Sequence, residues 1–495
     1  MMDEEKISRN SIRKKATASV RWSTVQNWGN QFIVLVVFFF LARYLSPQEF
    51  GLIALSEVFT NFIQIFLNTG VANALVQRKT ITEEHINTAF WLNLFIGVFL
   101  TIILVIFAGL IGKIFDQPKL PLVIRCLSVS IIIGTLKGVH QALLTRNLLF
   151  KKLAISTTVA WIAGGIAGIF LAIKGFGIWS IIFLQIIKNT VETAILWSLG
   201  GYRPKLMISK KHAKAIFSFG ANFMGLNFVI FFNKRIIDLL IGYFLGTTIL
   251  GYYNIAFRIF NMVNQLVINT VNTILLPLFA RIQSHKSLVN ELYYKVIQLS
   301  SIIAYPIFLI LATLAPQIIR LFGEQWNNSV PVLQIVAFAG PIYTITFINS
   351  SLIISLGKPN WRLLFGIITA VCNIAGLLLV IKLGVIYIAL SFVLIKYLVA
   401  PISFNMVHRL NPLNLRQFIL NSAPAVLGSI AIFLTMISVK YFLTNSLSSL
   451  TLLAISILLC VLSYTLSMRL LFPNTLKKTL SVVRDIMPNF IFRRA

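Results

Sequence analysis

Long apolar segments separated by short polar connections run along the whole chain. Each is about 20 residues or longer, the length an α-helix needs to cross the hydrocarbon core of a bilayer. They occupy residues 22–44, 50–76, 86–112, 120–145, 153–174, 176–199, 214–243, 248–280, 292–316, 329–356, 361–382, 384–407, 417–440 and 447–471. The pattern predicts an all-α integral membrane protein with about 14 transmembrane helices.

The eighth segment carries a line of polar residues on one helix face. Its members recur at steps of three or four residues and fall within an arc of about 80°; they are Asn254, Arg258, Asn261, Gln265, Asn269 and Asn272. The line is about 27 Å long, close to the thickness of the hydrocarbon core. Lipid is an unfavourable neighbour for such a line. We therefore predict that it lines a cavity, with hydrogen bonding between helices as the alternative.

The two halves of the chain resemble each other. The stretch from Tyr44 to Gly51 matches the stretch from Phe244 to Gly251 at an offset of 200 positions, and three further pairs of matching segments follow in the same order. This repetition predicts a duplicated six-helix unit, helices 1–6 and 7–12, with the copies related by a pseudo-twofold axis along the membrane normal. Two C-terminal helices remain outside the repeat.

The basic residues are distributed unevenly between alternate connections. The chain has 43 Lys and Arg against 13 Asp and Glu, a net charge of +30. If the N-terminus is cytosolic, the tails and connections on that side, counted with the four span residues next to each of them, hold 29 of the 43. Both termini are therefore predicted to be cytosolic. This placement accounts for the positive charge without a nucleic-acid partner. The polar stretch before Trp22 lacks the features of a signal peptide.

These patterns predict the following order of parts. A cytosolic basic segment (1–21) precedes the N-lobe (22–199), a cytosolic basic linker (200–213), the C-lobe (214–408), helices 13 and 14 (417–471) and a cytosolic basic tail (472–495). Three cysteines, Cys126, Cys372 and Cys460, lie inside apolar segments without metal-ligand spacing. We expect neither disulfides nor a metal site.

The repeat makes helix 2 the counterpart of helix 8, and other helices near this pair also carry polar residues. Helix 2 has Glu57, Asn61, Gln64 and Asn68; helix 7 has Asn227, Lys234, Arg235 and Asp238; helix 1 has Gln26 and Asn30. We predict that helices 1, 2, 7 and 8 surround a hydrated cleft between the two lobes.

Charged residues inside the spans need partners or water, because each costs roughly 2.5–3.5 kcal/mol at mid-bilayer. Lys188 and Glu192 are four residues apart and are expected to neutralise each other. Lys137, near His140, contacts substrate or snorkels to the interface. Lys396 is a candidate cation of the cavity.

Two acidic residues have alternative roles. Asp238 pairs with Lys234 or Arg235, or is a titratable or cation-binding carboxylate. Together with Glu57 it is the candidate for ion or proton coupling. The spans hold more cations than carboxylates, which suits an anionic cargo such as a pyrophosphate or an acidic sugar. Asn and Gln suit hydroxyl-rich glycans. Arg258, in the polar line of helix 8, is the leading candidate.

Several segments carry a resemblance to a known family. They are Arg43 to Gly51, Asp238 to Gly242, Leu250 to Tyr253, and Leu321-Phe322-Gly323 with Trp326 and Pro331. With them the chain resembles the polysaccharide transporters of the multidrug/oligosaccharidyl-lipid/polysaccharide exporter superfamily. It is most similar to the Wzx-like flippases of exopolysaccharide, teichuronic-acid and O-antigen pathways.

The resemblance implies a fourteen-helix, two-lobe fold with alternating access. The implied activity is transfer of undecaprenyl-pyrophosphate-linked oligosaccharide from the inner to the outer leaflet of the bacterial cytoplasmic (inner) membrane. The expected partners are this lipid-linked oligosaccharide and membrane lipid, with a polysaccharide polymerase and a chain-length regulator as further candidates. The resemblance supplies no catalytic residue, and no cofactor is expected.

Other functions compete with this hypothesis. A drug/cation antiporter of the same superfamily would favour a carboxylate-rich cavity, and a flippase for the peptidoglycan precursor is a closer variant. A membrane polymerase, ligase or glycosyltransferase needs paired catalytic groups on a sizeable outer loop. The outer connections here are short and their acids, Glu49, Asp116 and Glu324, are isolated. A scaffold would not need polar lines across the membrane. We expect a transporter and not an enzyme.

Overall fold

The computed structural model describes residues 29–67, 75–76, 78, 80–214, 231, 235–282, 285–443 and 449–476, without the side chains of 269–278, 280–282, 440, 442–443 and 449–450. In these ranges the chain forms α-helices and two short 3₁₀ segments, and no β-strand. The chain divides into two compact units, one ending at Gly251 and one beginning at Tyr252.

The first unit contains seven described helices and the beginning of an eighth. They are α1 (Gly29–Tyr44), α2 (Pro47–Leu67), α3 (Glu83–Ile114), α4 (Leu120–Arg146), α5 (Phe150–Ile173), α6 (Trp179–Leu199), α7 (235–244) and α8 (Gly246–Ile282), which continues into the second unit. Within the unit α4 packs against α2, α3 and α6, and α5 packs along α6.

The second unit adds eight helices. They are α9 (Lys286–Thr313), α10 (Ala315–Arg320), α11 (Val330–Ala337), α12 (Ala339–Ser355), α13 (Pro359–Val380), α14 (Val385–Leu410), α15 (Leu415–Leu443) and α16 (Ser449–Leu471), with 3₁₀ segments at Glu324–Ser329 and Ile381–Leu383. Inside this unit α9 packs against α12 and α15, α14 packs against α12 and α13, and α15 packs against α16.

One predicted span is broken in the structure. The segment 329–356 forms α11 and α12, which meet at Phe338 with a bend of 44°. Pro341 explains the break, because it lacks the N–H that would bond to the Ala337 carbonyl in a continuous helix. The Tyr397 hydroxyl of α14 donates to the Phe338 carbonyl at 3.0 Å, so α14 contacts the backbone at the bend.

Nine helices in the described ranges are long and apolar enough to cross a membrane, or ten if the bent pair is one span. This confirms an all-α, multi-pass membrane protein. Helices α6 and α8 have 21 and 37 residues but fall outside this set. Both are long enough to span a bilayer. These two helices hold much of the candidate site.

Helices α2 and α8 approach each other through a pair of glycines. A Cβ on Gly51 would overlap the backbone carbonyl of Thr247, and a Cβ on Gly251 would overlap that of Pro47. Gly51 thus packs against Thr247, four positions before Gly251, and Gly251 packs against Pro47, four positions before Gly51. Pro47 and Thr247 are 200 positions apart in the sequence, as are Gly51 and Gly251. The contact is therefore reciprocal.

Glu49 joins the α1–α2 turn to the beginning of α6. Its Oε2 accepts hydrogen bonds from the Ser46 N–H at 2.8 Å and the Ser46 hydroxyl at 2.9 Å. Its Oε1 accepts from the Ile178 N–H at 3.0 Å. Since the first N–H groups of a helix have no partner within it, this carboxylate caps α6 as well as its own helix.

We expect Glu49→Gln to lower the melting temperature of the detergent-purified protein. The amide keeps the size of the side chain but loses the charge-assisted bonds and one acceptor, at a cost of about 1 kcal/mol. The control is Glu324→Gln, which alters an exposed carboxylate in a 3₁₀ segment. Equal melting temperatures for Glu49→Gln and the unaltered protein would show that the Glu49 cap does not stabilise the fold.

Residues 200–214 fold back against the beginning of α3. The Oδ1 atom of Asn87 accepts hydrogen bonds from the Tyr202 hydroxyl and the Lys205 N–H, both at 2.8 Å. The Trp91 indole N–H donates to the Lys205 carbonyl at 2.9 Å. Burial raises the pKa of Tyr202 to about 12, so its hydroxyl remains protonated at neutral pH. The segment is therefore held to α3 by donors that do not titrate near neutrality.

Candidate functional site

Helix α6 presents a polar face toward its neighbours in the first unit. Gln185, Lys188, Asn189 and Glu192 recur at helical spacing on this face. Glu192 is buried, with 5% of its surface exposed, and the other three are half-buried. A buried carboxylate in a membrane-spanning helix requires a cation or several donors close by.

Lys137 of α4 supplies that cation. Its ammonium lies 2.5 Å from Glu192 Oε2 and donates to Asn189 Oδ1 at 2.9 Å. The side chains of Lys137 and Glu192 are 15% and 6% exposed, so water screens the pair poorly. The ion pair therefore ties α4 to α6 inside the membrane.

This arrangement corrects two predictions. Lys188 and Glu192 do not form the expected ion pair, because Lys137 from the adjacent helix occupies the carboxylate. Lys137 does not snorkel, because it points to α6. The prediction considered only neighbours on one helix, whereas the cation that pairs with this carboxylate comes from an adjacent helix.

The ammonium of Lys188 lies instead over an aromatic ring. It is 4.2 Å from the ring centroid of Trp161 on α5, a cation–π contact. One turn away, the Gln185 amide donates to Glu57 Oε1 of α2 at 3.3 Å. We call the residues Glu57, Lys137, Trp161, Gln185, Lys188, Asn189 and Glu192 the N-terminal polar cluster. They come from α2, α4, α5 and α6.

The other candidate site residues of the first unit differ in their hydrogen bonds and in their exposure. Asn30 of α1 donates to the Thr157 hydroxyl at 3.2 Å and accepts from Thr158 at 3.0 Å. Arg235 donates to Asp238 Oδ2 at 3.1 Å, which is one of the predicted alternatives. Asn61 is half-buried and Gln64 exposed. Gln26, Asn68, Asn227 and Lys234 lie outside the described residues.

The polar line on α8 is partly described. Arg258, Asn261 and Gln265 are exposed and Asn254 is half-buried, so these side chains are accessible to a polar ligand. The side chains of Asn269 and Asn272 lie outside the described residues. Asn264, which the spacing did not select, is buried.

Lys396 of α14 is the predicted cation furthest along the chain. Its ammonium lies 4.9 Å from the ring centroid of Phe392 and 5.7 Å from that of Tyr343 on α12. Phe392 packs edge-on against Phe257 of α8, with 5.0 Å between ring centroids. Inside the second unit, Lys396 is thus set among aromatic rings close to the helix that carries the polar line.

Sequence reasoning missed three members of the N-terminal polar cluster. Gln185 and Asn189 share the helix face of Lys188 and Glu192, so the helical period could have identified them. Trp161 gave no such signal, because only the packing of α5 on α6 brings it to Lys188. Within the described ranges, no three His, Cys, Asp or Glu side chains converge as a metal site would require.

The chain matches a protein family over most of its first two thirds. The model of a family described as "Polysaccharide biosynthesis protein" matches residues 40–331. The succinoglycan biosynthesis transport protein ExoT of Rhizobium meliloti is 28% identical over 335 residues, 67% of each chain. The lipopolysaccharide biosynthesis protein WzxC of Escherichia coli is 26% identical and covers 83% of this chain and 85% of its own. The teichuronic acid biosynthesis protein TuaB of Bacillus subtilis is 25% identical and covers 95% of this chain and 98% of its own.

Solved structures share the fold. The lipid II flippase MurJ, in an inward closed conformation, superposes with a TM-score of 0.74 at 16% identity, covering 92% of this chain and 100% of its own. An inward-facing multidrug resistance MATE transporter of the MOP superfamily superposes with a TM-score of 0.61 at 13% identity, covering 77% of this chain and 94% of its own. The family model spans more than half of the chain, its relatives act in polysaccharide biosynthesis, and the fold is that of MOP transporters. The resemblance seen in the sequence is therefore confirmed at the level of the family: the chain belongs to the polysaccharide biosynthesis protein family, and it shares its fold with a transporter of the MOP superfamily.

Proposed function

We propose that this protein transfers undecaprenyl-pyrophosphate-linked oligosaccharide repeat units from the inner to the outer leaflet, for assembly of a surface polysaccharide. The lipid tail stays in the bilayer while the polar head crosses through a cationic central cavity by alternating access. Membership of the polysaccharide biosynthesis family supports the pathway. The names of three relatives, ExoT, WzxC and TuaB, refer to bacterial surface polysaccharides or their transport.

One observation carries the proposal. Membrane-spanning helices carry charged and amide side chains. In the N-terminal polar cluster these side chains contact one another, and on α8 the side chain of Arg258 is exposed. Their transfer into a membrane is costly unless they contact water or a polar ligand. Amide and cationic side chains suit a cargo that combines hydroxyl groups with phosphate.

The topology belongs to the same proposal. We place 14 spans in two pseudo-twofold-related lobes, 22–199 and 214–408, followed by two further helices in 417–471. Both termini and the basic linker 200–213 face the cytosol. The membrane is the bacterial cytoplasmic membrane, and a polysaccharide polymerase and a chain-length regulator are candidate partners. Glu57 and Asp238 are the candidates for ion or proton coupling.

Arg258→Ala tests the role of the cavity. We expect it to abolish surface polysaccharide in a strain that depends on this gene, because the cargo loses a charge-assisted contact worth about 1.5–3 kcal/mol. The measurements are the surface polysaccharide content and the membrane level of the protein. Arg320→Ala is the matched control, since Arg320 is exposed in the last turn of α10 and outside the proposed cavity. Full retention of polysaccharide in Arg258→Ala would remove Arg258 from the mechanism.

A further inference from the structure

The segment 200–214 exposes apolar side chains at one short turn. The Met207 N–H donates to the Lys205 carbonyl at 2.8 Å, which makes Leu206 the apex of a three-residue turn. Leu206 is 86% exposed and Ile208 is 69% exposed. Met207, between them, faces α3, because its sulfur accepts a hydrogen bond from the Asn87 amide at 3.9 Å. Two aliphatic side chains therefore extend away from α3 on a connection that is rich in lysine.

The turn is fixed at a defined depth along α3. The N–H and the carbonyl of Lys205 bond to the side chains of Asn87 and Trp91, and the Ser209 N–H donates to the Thr88 hydroxyl at 3.1 Å. These partners lie four to eight residues after the first residue of α3, about 6–12 Å along the helix. The segment contributes only backbone groups to these bonds, so the side chains of Leu206 and Ile208 remain available to another surface.

This depth coincides with the edge of the hydrocarbon core of a bilayer. Helix α3 has 32 residues and is about 48 Å long, whereas the hydrocarbon core is about 30 Å thick. If the helix is centred in the bilayer, about 9 Å of it extends beyond the core at each end. Trp91 suits this boundary, because tryptophan is enriched at the membrane–water interface. The turn that Trp91 holds therefore lies where Leu206 and Ile208 reach the lipid chains.

The same segment is strongly basic. Residues 200–214 contain five cations and no acid, and all five cations are exposed: Arg203, Lys205, Lys210, Lys211 and Lys214. Lys205 pairs with Glu83 of α3 at 2.7 Å. In the described part of the chain, Lys210, Lys211 and Lys214 have no carboxylate partner. Clusters of basic residues next to a membrane-spanning helix attract anionic lipid headgroups.

We infer that residues 205–211 form a binding surface for anionic phospholipid in the leaflet at which α3 begins. Leu206 and Ile208 insert between the lipid chains, and Lys210 and Lys211 contact the headgroup phosphates. Apolar side chains beside lysines match the two parts of a phospholipid, and binding of this kind gains from the buried apolar area and from the charge attraction together. The inference concerns the segment alone and holds for any cargo of the transporter.

Photocrosslinking from the turn tests this surface. The photoreactive residue p-benzoylphenylalanine replaces Leu206 in the full-length protein, which is irradiated in intact cells and in nanodiscs with equal amounts of phosphatidylcholine and phosphatidylglycerol. We expect phospholipid adducts by mass spectrometry, with phosphatidylglycerol favoured about fivefold or more, since each lysine near the surface contributes about that factor. The matched control carries the probe at Met207, which faces Asn87 and should give adducts within the protein instead.

Two lysine substitutions separate the electrostatic attraction from the apolar insertion. When Lys210→Gln and Lys211→Gln are combined with the probe at Leu206, phospholipid adducts should persist but the preference for phosphatidylglycerol should largely disappear. Lys119→Gln is the control, because Lys119 is an exposed cation beyond the opposite end of α3, and it should leave the preference unchanged. All the substituted lysines are exposed, so the melting temperature in detergent should stay the same.

The identity of the adducts decides the outcome. Adducts of the Leu206 probe with a second protein, or with another segment of this chain, in place of lipid would overturn the inference, because the surface would then have a different occupant. Equal labelling of the two phospholipids would also overturn it, since the lysines would not select the headgroup. If the probe at Leu206 lowers the membrane level of the protein, the same probe at Ile208 repeats the test and should give the same phospholipid adducts.

Discussion

Glu192→Gln should be among the most destabilising single changes in the first unit. It leaves the Lys137 ammonium without its carboxylate in a place where the two side chains are 15% and 6% exposed. Breaking a buried pair on one side typically costs about 3–5 kcal/mol. We expect a clear drop in melting temperature of the detergent-purified protein and reduced surface polysaccharide in cells.

A double variant separates stability from transport. In Lys137→Met with Glu192→Leu both charges are absent, and most of the lost stability should return. Transport should stay low if the N-terminal polar cluster contacts the cargo. Glu291→Gln is the control, because its pair with Lys295 is more than half exposed and should contribute less than about 1 kcal/mol. If Glu192→Gln has the same melting temperature as the unaltered protein, the ion pair does not stabilise the contact of α4 with α6.

Gly51→Ala should prevent normal packing of α2 against the beginning of α8. The added Cβ would overlap the Thr247 carbonyl, and this obstacle is backbone that cannot rotate away. Relief requires a shift of a whole helix, at a cost of about 1–3 kcal/mol or more. We expect a lower membrane level of the protein and a lower melting temperature.

A substitution at Gly251 provides a direct comparison for the substitution at Gly51. Gly251→Ala should have an effect similar to Gly51→Ala, because its Cβ would overlap the Pro47 carbonyl in the same way. Gly109→Ala on α3 is the control, since nothing lies within 4 Å of its Cβ position; there alanine should be neutral or slightly stabilising. A normal melting temperature for Gly51→Ala would show that α2 and α8 do not approach as closely as the structure has them.

Much of the architecture follows from local patterns. The apolar segments beginning near residues 86, 120 and 153 correspond to α3, α4 and α5, because a helix must be apolar over its lipid-facing length. Gly51 and Gly251, which are 200 positions apart in matching segments, lie where the backbones of α2 and α8 meet. Hydropathy alone gave one span over residues 329–356, whereas Pro341, a helix breaker visible in the sequence, accounts for the break at Phe338.

The candidate site was less predictable because its contacts cross between helices. Periodicity placed Lys188 and Glu192 on one face but could not show that Lys137 of α4 lies nearer to the carboxylate.

The central claim is that this protein moves complete lipid-linked repeat units across the membrane. The most direct test is to delete the gene in its host, measure undecaprenyl-linked oligosaccharides by mass spectrometry, and determine their leaflet with a membrane-impermeant sugar label. We predict accumulation of complete repeat units on the inner leaflet and loss of surface polymer. Unchanged lipid intermediates with altered drug or cation tolerance would indicate an antiporter instead. Complete but unpolymerised units on the outer leaflet would contradict the claim in favour of a polymerase.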